Sequence, residues 1–302
     1  LWRSWHWPSG QMPTQRPILI GPLTAGSNHR IYKVALEEDL RQAFVVRILQ
    51  ADRRTLAMGL VQEITLQKLA SEARLAPEIV FHQGDAIVMH FIEAPAWAQQ
   101  IDASIEALGR QLQALHQLKA DDTGFDLLAH CRHYFQQLDQ PSSAQAQLHQ
   151  QLLAFTGTAL ARFPARALCH NDLIPENILL TPRPQFIDWE YAATNHPSFD
   201  LATVLEWGQL SVNQSQRLLE AYRAAESNPA ATRFGINHTT TGPECLAAFR
   251  LIVRYLEWLW LLQTPTEDGL QSRPPPSRES LALTQSLEQQ LRQRFLSFAA
   301  GA

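Results

Sequence analysis

His170-Asn171-Asp172-Leu173-Ile174-Pro175-Glu176-Asn177, followed by Phe186-Ile187-Asp188-Trp189-Glu190-Tyr191, is the stretch on which the reading of this chain turns. It sets an Asp, an Asn five residues later, and a second Asp eleven residues after that. Each carries a side chain that phosphoryl transfer from a nucleotide requires. One carboxylate must receive a hydroxyl proton, and an amide oxygen and a further carboxylate must hold Mg²⁺ against the phosphates. Asp172 is therefore the candidate catalytic base, and Asn177 and Asp188 are the candidate ligands of Mg²⁺, a hard cation that prefers oxygen. The apolar residues Ile178 to Leu180 and Phe186-Ile187 predict two short buried strands that fix those ligands at their ends. Taken singly, an Asp or Asn here is also an ordinary turn or cap residue. The ordered set carries the argument.

The flanks extend the pattern. Leu168-Cys169 precedes the loop, and Asn195-His196-Pro197-Ser198-Phe199-Asp200-Leu201-Ala202 follows it and opens a helix. The order Asp172, Asn177, Asp188 matches the protein-kinase sequence H-R-D-x-x-x-x-N and the Asp of D-F-G. The stretch from about 168 to 202 resembles the aminoglycoside-phosphotransferase-like kinases, and within them the choline/ethanolamine kinase branch, bacterial choline and thiamine kinases included. A weaker likeness runs from about 21 to 95.

That resemblance implies a two-lobed α+β kinase-like fold with nucleotide in the cleft between a small β-rich lobe and a larger helical one. It implies that His170 and Asp200 support the catalytic loop. It makes Gly26, Ser27 and Asn28 a phosphate-covering hairpin, although a plain turn reads the same. Arg47 stands where protein kinases carry the β3 lysine, and its fork still permits two-point contact with phosphates. Glu63, sixteen residues on, is its candidate ion-pair partner, with Glu72 the lesser alternative near the helix end. Met89, His90, Phe91 and Ile92 match the hinge that receives the purine edge through backbone groups. Ala94 departs from the Gly the family often shows there.

The acceptor side rests on aromatic residues. Tyr191 follows the Asp188 motif directly, and Trp258 and Trp260 lie on a late helix where choline kinases place box tryptophans. A quaternary ammonium or thiazolium is held over aromatic faces by cation–π attraction, and Glu190 and Glu257 add long-range attraction. Aromatics on an apolar helix are also ordinary core residues.

Strand-like runs are Pro17 to Leu23, Ile31 to Leu36, Phe44 to Leu49, Ile79 to Phe81 and Ala86 to Phe91, with helical periodicity over Leu56 to Leu69. Glu93-Ala94-Pro95 reads as a linker. Beyond it, Ser104 to Leu118, Ser143 to Ala161, Gln214 to Ala224, Cys245 to Gln263 and about 279 to 298 have helical spacing, with a loop at Arg273-Pro274-Pro275-Pro276-Ser277. The expected organisation is an unassigned segment 1–16, a nucleotide-binding lobe 17–93 and a helical lobe 94–302. His116 reads as a packed helix residue, and His130-Cys131-Arg132-His133 as a helix surface. The amino-terminal tryptophans are expected to pack on the small lobe.

The 302 residues carry a net charge of −4, which argues against nucleic acid as the main partner. The three cysteines, Cys131, Cys169 and Cys245, have neither zinc nor disulfide spacing and fit a reducing cytosol. No apolar run reads as a membrane span, because Arg254 and Glu257 interrupt the most apolar late stretch, and the first residues lack a signal-like apolar region. The expectation is a cytoplasmic small-molecule kinase that uses Mg²⁺ and ATP (or GTP) and phosphorylates a hydroxyl of a small cationic acceptor. Choline comes first, ethanolamine or thiamine next, and an aminoglycoside after them. A protein kinase is disfavoured, because Asp188-Trp189-Glu190 replaces D-F-G and no A-P-E segment follows. A non-catalytic nucleotide-binding module is disfavoured by the joint presence of Asp172, Asn177 and Asp188.

Overall fold

The computed structural model describes residues 2–5, 16–24, 29–49, 59–100, 104–121, 124–226, 242–263 and 278–301. Five strands form one antiparallel sheet: β1 (Pro17–Thr24), β2 (His29–Leu36), β3 (Asp39–Leu49), β4 (Ile79–Gln83) and β5 (Ala86–His90), in the order β1-β2-β3-β5-β4. Helix α1 (Leu60–Glu72) packs on it. The period-two alternation of β3 sorts its side chains between two clusters. Phe44 and Val46 join Leu36, Val80 and Val88, and Trp2 and Trp5 cover that face, with Trp5 edge-on to Phe44 at 5.3 Å. Val45 and Leu49 point the other way, toward Ile64, Ile79, Ile87 and Met89 under α1. Arg47 shares the parity of Val45 and Leu49, so strand geometry alone turns it toward α1.

The remainder is mainly helical. Helices α2 (Ile105–His116), α3 (Leu127–Gln136) and α4 (Ser143–Arg162) precede four short strands in two antiparallel pairs. These are β6 (Ala167–Cys169), paired with β9 (Ala193–Asn195), and β7 (Ile178–Leu179), paired with β8 (Gln185–Phe186). Then come α5 (Pro197–Trp207), α6 (Val212–Glu226), α7 (Pro243–Leu261) and α8 (Arg278–Gly301). Local chemistry explains several ends. Ser142 and Gln145 form a reciprocal capping box at the start of α4. His196 caps α5, and Pro197 fills the first turn, where its missing N–H is no loss.

The main core gathers Trp97, Trp189, Tyr222, Phe249, Tyr255 and Trp258. Helix α5 runs through it with every residue from Pro197 to Glu206 buried, which explains its lack of a polar face. Helices α2 and α6 approach so closely at Gly109 that a Cβ there would lie 2.5 Å from the Leu218 carbonyl oxygen. No helix among the described residues is long and apolar enough to cross a membrane.

Most elements begin or end a few residues from their sequence expectations, and β3 runs five residues further toward the amino terminus than Phe44. One reading needs correction. His130 and Cys131 are not surface residues: both are buried on α3, whose ten residues bury Leu127, His130 and Cys131. Gly26, Ser27, Asn28 and the 273–277 loop lie outside the described residues.

Candidate active site

The site is built on backbone first. Asp200, in the first turn of α5, accepts the backbone N–H of His170 on Oδ2 and that of Asn171 on Oδ1, both at 2.8 Å. His116 Nε2 meets the same Oδ2 at 3.2 Å, and its Nδ1 meets the Tyr222 hydroxyl at 2.8 Å. His116 is thus part of the bracing of the catalytic loop, a role that sequence reasoning missed. Asn171 then ties the loop to the following segment: its amide donates to the Tyr191 carbonyl at 2.9 Å, and its Oδ1 accepts from Asn195 at 2.8 Å.

His170 contributes through its backbone and its packing. Its ring is buried edge-on to Trp189 at 4.9 Å. The ring nitrogens find no well-formed hydrogen bond, only the backbone of Ile187 nearby. Burial pulls its pKa down to about 4, against the Asp200 charge, so the ring stays neutral. His170 thus joins the loop to Asp200 through its backbone N–H, and its ring adds packing on Trp189.

The β7–β8 hairpin sets the chemical residues. Asn177 directly precedes β7 and Asp188 follows β8 by two residues, so both emerge at the same end. Asn171 and Asp188 have φ of 65° and 67°. That left-handed region disfavours most side chains, and Asn and Asp tolerate it best after Gly. Asn177 Nδ2 donates to the carbonyl and to Oδ2 of Asp172, each at 2.9 Å. Its Oδ1 accepts no hydrogen bond from the described residues, and Asn177 and Asp188 line the same cavity. An unpaired amide oxygen beside carboxylates is a donor set that suits Mg²⁺.

Asp172 is half-buried at the base of this arrangement. Its pKa is pushed up to about 8, first by burial and then by the Asp188 and Glu190 charges. The Asn177 hydrogen bond pulls the other way. Across the cleft, Arg47 is buried and pairs with Glu63 of α1, while its Nη1 donates to Asp188 Oδ1 at 3.0 Å. Its Nε is buried without a partner. Glu72 ends α1 and takes no part in this pair.

At the hinge, the N–H groups of His90 and Phe91 are engaged by the Glu78 and Ala43 carbonyls. Ile92 offers its carbonyl to Ala94 at 3.1 Å. Met89 is buried within the sheet.

A cavity of about 360 Å³ opens over Asp172, Asn177 and Asp188. Three helices line it with residues at helical spacing: His130 and Tyr134 of α3; Phe199, Thr203 and Trp207 of α5; and Val253, Leu256, Glu257 and Trp260 of α7. Phe125, Ile174, Glu190 and Tyr191 complete the wall. Tyr134 hydrogen-bonds Tyr191, and its hydroxyl pKa rises to about 12 through burial and the Asp172 charge. Burial and nearby charges also raise Tyr191, and burial raises Glu257 against the pull of Arg254, whose Nη1 lies 2.6 Å from it. Trp260 is 41% exposed at the cavity. Trp258 is not part of the wall: it is fully buried in the core beside Tyr255. Tyr134, Trp207, Phe125 and His130 are cavity residues that sequence reasoning did not find. The spacing i, i+4 shared by His130 and Tyr134, and by Phe199, Thr203 and Trp207, was the signal available.

A sequence model described as the phosphotransferase enzyme family matches residues 20–234. Protein LicA of Haemophilus influenzae is 42% identical over 93 residues, 30% of this chain and 33% of that protein. The matched stretch thus spans about a third of the curated relative. The fold is shared with a choline/ethanolamine kinase family protein from Mesorhizobium loti, at a TM-score of 0.66 and 19% identity over 98% of this chain and 96% of that one. It is shared equally with choline kinase LicA from Streptococcus pneumoniae, at a TM-score of 0.68 and 16% identity over 93% and 94% of the two chains.

Proposed function

We propose, since this chain belongs to the phosphotransferase enzyme family, that it is a small-molecule kinase transferring the γ-phosphoryl group of ATP (or GTP) to the hydroxyl of a cationic amino alcohol. Choline is the first candidate; ethanolamine and thiamine follow. The observation that carries this reading is the cavity over Asp172, in which the carboxylates of Asp172, Asp188 and Glu190 meet the rings of Tyr134, Tyr191, Trp207 and Trp260. A wall of that composition attracts a positive charge by Coulomb and cation–π forces together. It also offers a proton acceptor at its base.

In this reading the acceptor hydroxyl lies against Asp172. Asp172 takes its proton as the oxygen attacks the γ-phosphorus and the bond to the β-phosphate oxygen breaks. Asn177 holds the Asp172 carboxylate in place through its amide N–H. The oxygens of Asn177 and Asp188 would hold Mg²⁺, which supplies charge neutralisation for the phosphate oxygens. Arg47 contributes a guanidinium toward the α- and β-phosphates, with Glu63 fixing its direction. Backbone groups of Met89 to Ile92 supply the purine edge contacts, and Gly26, Ser27 and Asn28, outside the described residues, are the sequence's candidates for covering the phosphates. His170 and Asp200 support the loop. The unpaired, buried cysteines fit a cytoplasmic setting.

The test is ADP release from MgATP and MgGTP with choline, ethanolamine, thiamine and kanamycin as acceptors. Turnover on choline, ethanolamine or thiamine is the expected result. Rapid phosphorylation of kanamycin, with none of the other three used, would move the chain to the aminoglycoside side of its family. ADP release with no acceptor at all would remove the transferase reading.

A further inference from the structure

Helix α3 begins at Leu127 with Asp126 as its cap. The Asp126 carbonyl accepts two hydrogen bonds from His130, one from its backbone N–H and one from ring Nδ1, each at 3.0 Å. A carbonyl oxygen only accepts, so Nδ1 carries the proton, and Nε2 of the neutral ring presents a lone pair. That Nε2 is buried and has no partner. His130 is 8% exposed and lines the cavity over Asp172. Its ring lies on Phe125, 4.3 Å between centroids and 28° from parallel, which holds the ring plane. A buried acceptor without a donor is costly, and the cost is relieved when a bound molecule supplies the donor.

We propose that His130 is a specificity-determining residue of this cavity, favouring acceptors whose ammonium carries an N–H over acceptors that are fully methylated. The inference rests on the amino-alcohol kinase reading and deepens it. The carboxylates and aromatic rings attract any ammonium, because Coulomb and cation–π forces do not distinguish N–H from N–CH₃. A lone pair does distinguish them. The ammonium of protonated N,N-dimethylethanolamine can donate one hydrogen bond to Nε2, whereas the ammonium of choline, one methyl larger, can donate none. With choline bound, Nε2 stays unpaired.

The experiment measures kcat/KM for N,N-dimethylethanolamine and for choline in the native chain, in His130→Phe and in His130→Gln, with thermal melting to establish folding. His130→Phe keeps the stack on Phe125 and removes the lone pair. It should lower the dimethylethanolamine value about tenfold more than it lowers the choline value, as expected for one lost hydrogen bond to a charged donor. His130→Gln, whose amide oxygen can stand near the place of Nε2, should keep most of the native ratio. His130→Met preserves volume without a nitrogen and replaces the Phe variant if that one does not fold. A ratio that stays unchanged in a folded Phe or Met variant overturns the proposal. So does an equal gain on both substrates, which would mean that the ring acts as a cation. If the native chain phosphorylates neither alcohol, this proposal fails, and the amino-alcohol reading fails with it only if ethanolamine and thiamine are not used either. Turnover with an unmoved ratio removes His130 alone.

Discussion

Asp172 carries opposing demands on one side chain. Its folded pKa of about 8 stands far above the ordinary 3.8, because the charged form is desolvated and faces Asp188 and Glu190. Below about pH 4 the folded and unfolded chains are both protonated at this group. Between about pH 4 and 8 the folded chain keeps a proton that the unfolded chain has released, so this group's contribution to stability falls as pH rises and is lowest above pH 8. Asp172→Asn removes that penalty. Its melting temperature should exceed that of the native chain at about pH 9 and nearly equal it at about pH 4. The same substitution should lower kcat by roughly 10²–10⁴-fold, the usual range for a lost general base. A variant keeping more than half of native turnover takes Asp172 out of the mechanism. This residue was legible in the sequence, because Asp172, Asn177 and Asp188 lie within seventeen positions and their spacing is local. The shift in its pKa was not legible. Glu190 was visible beside it, but how deeply the fold buries the carboxyl depends on α3, α5 and α7.

At the scale of the element, α7 shows what periodicity gives and withholds. The run from Cys245 predicts a helix from its apolar spacing, and the helix spans Pro243–Leu261. The sequence offered Trp258 and Trp260 as equal candidates for the acceptor wall. Two residues on a helix diverge by about 200° around its axis, so one element cannot turn both to the same cavity. Trp260 falls on the stripe with Val253, Leu256 and Glu257; Trp258 falls in the core. Trp260→Leu and Tyr191→Leu should raise KM for the amino alcohol and leave KM for nucleotide nearly constant. Trp258→Leu should lower the melting temperature markedly, since truncating a buried aromatic costs roughly 3 kcal/mol or more. Steady-state kinetics beside thermal melts check this, and a Trp260 variant that melts early with both KM values moved would return that ring to the core. Part of helix α3 was read as a helix surface, but which of its faces is buried depends on the helices packed against it, and with that went His130 and Tyr134.

On the scale of the whole molecule, Arg47 of β3 is one point at which the sheet reaches the helical part. Arg47 reaches Glu63 on α1 and Asp188 beyond β8, a partner 141 positions away. The pair with Glu63 was legible through the kinase resemblance, which implies an acidic partner for Arg47 on the first predicted helix. The bond to Asp188 was not, because no spacing within either half encodes how the halves approach. If the three residues act together on nucleotide, Arg47→Ala and Glu63→Gln should each raise KM for nucleotide, and the double variant should lose less than the sum. Strict additivity would mean that the two side chains act separately. The bond to Asp188 has a further meaning. If Asp188 is a metal ligand and Arg47 a phosphate ligand, as proposed, the guanidinium is the counter-ion of a carboxylate that the metal would claim, and loading the enzyme would be an ion exchange. A phosphate that drew Arg47 away would free Asp188, so nucleotide would complete the metal site. Mg²⁺ offered alone to the native chain should bind far more weakly than Mg²⁺ offered with nucleotide, and in Arg47→Ala that difference should shrink.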